Sequence, residues 1–131
     1  MTYVCSDIHG CYEKYLKLLE QIKFNKSDTL YILGDVLNRE GNGGIDILQD
    51  IMDRPNVTLI LGNHEEIALE GFEFLMNAQV KKASDINDLP VHVKVMLTEW
   101  LNLGGMPTIK AFRELSRREQ ERIVAFCLTG A

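Results

Sequence analysis

No run of apolar residues in this chain approaches the roughly 18 needed to cross a bilayer as a helix. Met1 leads within one residue into an apolar segment, with no basic stretch before it. A membrane span and a secretory leader are therefore not expected, and a cytoplasmic protein is. Cationic residues are also short: 14 Lys and Arg stand against 19 Asp and Glu, a formal net charge of −5. That balance argues against a general affinity for nucleic acid or anionic membrane, although a local cationic site could still grip a phosphorylated substrate. Cysteines number three, an odd count that builds no disulfide framework. Cys5 and Cys127 sit in apolar runs and read as buried free thiols of a reducing compartment, with Cys11 partly exposed after Gly10. Internal repeats and low-complexity stretches are missing as well. What remains is ordinary: 131 residues, 46% hydrophobic and 25% charged, one domain long enough to bury a core.

Hydrophobic periodicity divides the chain in two. In residues 1–64, strands are expected over Thr2–Ser6, Thr29–Leu33 and Val57–Leu61, each a short β-prone apolar run. Between them, Tyr12–Lys23 and Ile45–Met52 place apolar residues at helical spacing. This βαβαβ order, with nearly all-apolar strands, predicts an α/β fold on a parallel sheet covered on both faces and joined by right-handed crossovers. In residues 65–131 a helical segment is expected. It comprises helices over Glu65–Ala78, Val91–Leu103 and Ser116–Leu128, a polar loop over Ser84–Pro90, and a turn at Gly104, Gly105 and Pro107. Ser116 and Glu119 form a capping box.

The chemistry gathers where the strands stop. The first is followed by Asp7-Ile8-His9-Gly10, the second by Gly34-Asp35 and then Asn38-Arg39, the third by Gly62-Asn63-His64-Glu65. In an open parallel sheet the carboxyl ends of the strands lie along one edge, and ligands bind there. Singly, each motif is unremarkable turn or helix-cap chemistry. Together, at three successive strand ends, they converge. Carboxylates from Asp7 and Asp35, an imidazole from His9 and an amide carbonyl from Asn63 suit a divalent metal. Residues 7 and 9, two apart on an extended exit, would point to the same side, and Asp35 could bridge two ions.

DIHG at Asp7–Gly10, GDVLNR at Gly34–Arg39 and GNHE at Gly62–Glu65 resemble the motifs DxHG, GDxxDR and GNHE of calcineurin-like metallophosphatases. The likeness is to the phosphoprotein phosphatase branch, which includes bacterial serine/threonine phosphatases and symmetrical diadenosine tetraphosphatases. Trp100–Thr108 (WLNLGGMPT) is similar to a segment those bacterial enzymes carry after a helix. The resemblance implies two divalent ions, Mn2+ first among Mn, Fe, Zn and Ni. Asp7 and His9 would hold one ion, Asp35 both, and Asn63 the second. Arg39, with Asn63 and His64, would bind the phosphate of a phosphoprotein or of a phosphorylated small molecule or dinucleotide. His64 would be the general acid, supported by Asn38, and a water activated between the ions would attack phosphorus.

Two departures from the family pattern carry expectations of their own. Asn38 stands where the family has an aspartate that holds the histidine, so Asn38 is expected to accept the same hydrogen bond without its charge. The chain also has only three histidines, His9, His64 and His92, and His92 reads as a surface or packing residue. The family's later metal-binding histidines, its second phosphate-binding arginine and its second sheet find no counterpart. The chain is thus expected to encode the N-terminal half of the family's αββα sandwich. The second metal site would be weak, and one apolar sheet face would be left for a homo-oligomer to cover.

Overall fold

The computed structural model of the chain describes residues 1–77 and 88–129. Its three strands are β1 (Thr2–Cys5), β2 (Thr29–Leu33) and β3 (Val57–Ile60), parallel and in the order β1-β2-β3. Thr2 pairs with Thr29, and Leu30 with Val57. Two helices cross between them, α1 (Tyr12–Gln21) and α2 (Ile45–Met52). Among the described residues four more helices follow: α3 (Asn63–Asn77), α4 (Val91–Asn102), α5 (Met106–Glu114) and α6 (Arg117–Thr129). The chain is α/β, a βαβαβ unit followed by helices.

The expectation of a sheet covered on both faces is corrected. Right-handed crossovers that step the same way across a sheet place both helices on one face. Along β2 the outcome alternates: Leu30 and Ile32 are fully buried, whereas Tyr31 and Leu33 are exposed. Val4 and Ile60 join them on the open face. These four side chains form the expected open apolar face.

On the covered face the core runs from Leu30 and Ile32 through Ile47, Leu48 and Ile51 of α2 to Tyr15 of α1. Tyr15 has its ring buried, and its hydroxyl donates to Asp50 Oδ2 at 2.6 Å. Arg54 Nε donates to the same oxygen at 2.7 Å, which joins α1 to α2. Helix α1 stops before the expected Lys23, because Lys23 adopts a left-handed conformation (φ 51) that ends the helical run.

Helix α3 packs against α4, α5 and α6. Phe72 stacks on Phe112 at 4.2 Å and meets Trp100 edge-on at 5.6 Å, all three rings fully buried. Burying each ring contributes about 1.5–3 kcal/mol. Gly71 lets Trp100 lie directly on the α3 backbone, since any Cβ there would overlap the indole. The turn expected at Gly104, Gly105 and Pro107 is half right. It ends at Gly105, and Pro107 lies in the first turn of α5, where a missing N–H costs nothing. Ser116 Oγ accepts from the Glu119 amide at 3.2 Å, one arm of the expected capping box. Of the remaining sequence expectations, Ala78 and residues 84–87 of the polar loop lie outside the described residues. Among the described residues no helix is long and apolar enough to cross a membrane.

Candidate metal centre and active site

The site is built on three loops that leave the strands, and the backbone there is unusual. Six described non-glycine residues have positive φ, and five of them are Asp7 (59), His9 (46), Asp35 (56), Asn38 (75) and Arg39 (75). A left-handed residue with a side chain costs about 1–2 kcal/mol, and such strain gathers where the surroundings enforce it for function. Backbone hydrogen bonds enforce it here. His9 N donates to Asp35 O at 2.8 Å and Gly10 N to Val36 O at 2.7 Å, locking the first loop onto the second. Arg39 N donates to Gly104 O at 2.8 Å, locking the second loop onto the α4–α5 turn. Asp7 and His9 do point together, as expected from their spacing. The reason is different: β1 ends at Cys5, and two left-handed residues turn the side chains rather than a continued strand.

Asp7, His9 and Asp35 each offer a ligand atom, and these atoms lie within 4.8 Å of one another. Asp7 Oδ1 is 3.6 Å from His9 Nε2. His9 Nδ1 is buried with no hydrogen-bond partner in the protein. Two carboxylates and an imidazole on one point, with a ring nitrogen left uncommitted, fit a divalent cation. Asn63 is the first residue of α3, its side chain exposed, immediately before His64.

The His64 ring lies beside that of His9, with centroids 5.1 Å apart and planes tilted by 60°. Burial holds its pKa below the ordinary histidine value; the charges of His9 and Arg39 add to this, and those of Asp35 and Asp7 oppose it. The same interactions place the exposed Arg39 within electrostatic reach of His64. His92, on α4, is exposed, a surface residue rather than a packing one.

Asn38 corrects an expectation. It is fully buried, and its amide does not accept from His64. Its Nδ2 sits 2.9 Å from His64 Nδ1, while Oδ1 accepts from Trp100 Nε1 at 3.0 Å and from Thr108 Oγ1 at 2.9 Å. An indole N–H only donates, so the oxygen must face Trp100 and the nitrogen must face His64. Turning the amide over would strand a buried donor, at about 1–3 kcal/mol. Thr108 comes this close because Gly43 (φ 70) lacks a side chain that would strike its backbone.

Glu65 belongs to the GNHE motif, but no role for it was read from the sequence. It is fully buried. Oε1 accepts from Asp35 N at 2.7 Å and Gly62 N at 3.0 Å, and Oε2 from Leu37 N at 3.3 Å. One carboxylate thus ties the β2 exit to the β3 exit and to the start of α3. Burial raises its pKa, the three N–H donors act against this, and the charge on Asp35 adds to the rise. The only hint in the sequence was its place beside His64. Trp100 and Thr108 were visible as a motif, and their convergence on Asn38 was not.

The family model of calcineurin-like phosphoesterases matches residues 2–125. Proteins named "Bis(5'-nucleosyl)-tetraphosphatase, symmetrical" from Salmonella typhimurium, Salmonella typhi and Salmonella enteritidis are each 42% identical to this chain over 66 residues. That stretch is 49% of this chain and 23% of each relative, so the match spans about a quarter of their length. With a cluster that could hold a metal ion at the strand ends and a family match over nearly all of its residues, the chain belongs to the calcineurin-like phosphoesterases.

Proposed function

We propose that this chain carries the catalytic half-site of a metal-dependent hydrolase that cleaves P–O bonds at a dinuclear centre. The observation behind this reading is the meeting of Asp7, His9 and Asp35 within 4.8 Å, beside the His64 ring. Asp7, His9 and Asp35 would hold one ion, and Asp35 with Asn63 a second, weaker one. Divalent ions there, Mn2+ foremost, would supply a water acidified enough to attack phosphorus and would neutralise phosphate charge. Arg39 presents a guanidinium suited to two phosphoryl oxygens at once. His64 stands by for the leaving oxygen. Asn38 and Glu65 orient, through hydrogen bonds, the residues that do this.

The reading is tested by hydrolysis of p-nitrophenyl phosphate by the 131-residue chain with added Mn2+. Metal-dependent turnover that disappears in Asp35→Ala is expected, and turnover that survives this substitution would refute the reading. Two substrate classes follow from the family. A phosphoprotein suits the motif resemblance, and a dinucleoside tetraphosphate suits the name of the Salmonella relatives. Comparing a phosphoserine peptide with diadenosine tetraphosphate separates them.

A further inference from the structure

We propose that Asn38, clamped by Trp100 and Thr108, locks His64 with its proton on Nε2, and so adapts the site to substrates whose leaving group departs without a proton, phosphoric anhydrides above all. The proposal deepens the hydrolase reading and rests on it for the substrate. Its first half, the tautomer, stands on geometry alone.

Trp100 Nε1–H cannot accept, so the atom 3.0 Å away must be the amide oxygen of Asn38. Thr108 Oγ1 lies 2.9 Å from that oxygen and 3.0 Å from Gly43 O, so its single proton serves one at a time, and Trp100 is what decides the orientation. The amide nitrogen then donates across 2.9 Å to His64 Nδ1. A nitrogen that receives a hydrogen bond carries a lone pair. The neutral ring must therefore hold its proton on Nε2, on the far side from Asn38. Asn38, Trp100 and Thr108 are all fully buried, so no solvent competes for these bonds.

The consequence follows from what a neutral Nε2–H imidazole can do. It can donate a hydrogen bond to a phosphoryl or leaving oxygen. Surrendering the proton would make it an imidazolate, which is far harder than discharging an imidazolium. A carboxylate at position 38 would do the reverse, accepting from Nδ1–H and favouring a doubly protonated ring able to act as an acid. In the hydrolysis, water oxygen forms the new P–O bond and its surplus proton goes to solvent. The bridging P–O bond breaks with its electron pair on the leaving oxygen. An alkoxide needs a proton as it departs, so losing the general acid costs about 10²–10⁴-fold. A phosphate leaving from an anhydride is a stable anion and needs none. Asn38 is thus a positioning residue that sets substrate class through His64.

Two measurements test this. The first is nitrogen-15 NMR of the imidazoles in the metal-free chain, where three histidines make assignment simple. His64 is expected with a protonated Nε2 and a bare Nδ1, and Asn38→Asp should move the proton to Nδ1. Trp100→Phe, which removes the donor that orients the amide, should give a mixture, and it serves if Asn38→Asp does not fold. A wild-type ring protonated on Nδ1 would overturn the proposal. The second is the ratio of kcat/KM for an alkyl phosphate to that for diadenosine tetraphosphate with Mn2+. Asn38→Asp should raise this ratio by about 10²-fold, and an unmoved ratio would overturn the substrate half. If p-nitrophenyl phosphate turns over and neither of these substrates does, the substrate half fails alone; if none of the three turns over, the hydrolase reading fails, and the NMR result still decides the tautomer.

Discussion

Glu65 supports the site through three backbone hydrogen bonds that its carboxylate accepts. Replacing it with alanine orphans three backbone donors, those of Gly62, Asp35 and Leu37, in a position with no exposure. Each unsatisfied buried donor costs about 1–3 kcal/mol, partly offset because a buried charge is removed with the side chain. A net loss of roughly 3–6 kcal/mol is expected for Glu65→Ala, a large share of the 5–15 kcal/mol that holds a typical domain together. Glu65→Gln keeps one oxygen for Asp35 and Gly62 but turns an N–H toward Leu37, so about 2 kcal/mol should be lost. The single tryptophan, Trp100, is fully buried and reports unfolding by fluorescence. With a urea slope near 2 kcal/mol per molar, the Gln variant should unfold about 1 M earlier, and the Ala variant at least 1.5 M earlier. An Ala variant within 0.5 M of wild type, by the same slope, would refute the idea that this carboxylate holds the strand exits together. So would a Gln variant less stable than the Ala variant.

Four further outcomes are expected. On β2, Ile32→Ala should cost about 2–5 kcal/mol in urea unfolding, whereas Leu33→Lys on the open face should stay within about 0.5 kcal/mol; equal costs would contradict the one-sided sheet. Burial pushes the Cys127 thiol up to about 12, so at pH 8 iodoacetamide should label Cys127 only after unfolding, as read by peptide mass spectrometry. Burial also raises Tyr15. The folded chain therefore keeps protons that the unfolded chain releases, and stability should fall as pH rises from the ordinary thiol range toward 12. Mn2+ at a hundred times its dissociation constant should stabilise the chain by about 2.7 kcal/mol, and His9→Ala should remove that gain.

Much of the architecture was legible because the signals were local. Apolar runs of strand length, broken by glycine and joined by helical periodicity, specify a βαβαβ unit, and the observed β1, β2 and α2 differ from expectation by a residue at most. Helix α5 was missed because Gly104, Gly105 and Pro107 look alike as breakers, and only the packing of Phe112 against Phe72 shows where the helix resumes. The meeting of the candidate metal ligands was legible for a different reason. These residues, Asp7, His9 and Asp35, lie at the ends of strands whose parallel order the sequence already implied.

What the sequence determined by itself was therefore the family pattern, the strand ends and the polar residues that stand at them, since each is written in residues close together along the chain. Tertiary structure decided the rest, because those properties depend on residues far apart in sequence. It turned Asp7 and His9 together through left-handed backbone and bonded Glu65 to the Asp35 amide. It also reversed the expected hydrogen bond at Asn38. The donor that orients that amide lies 62 residues away, and no reading of the GDVLNR motif alone contains it.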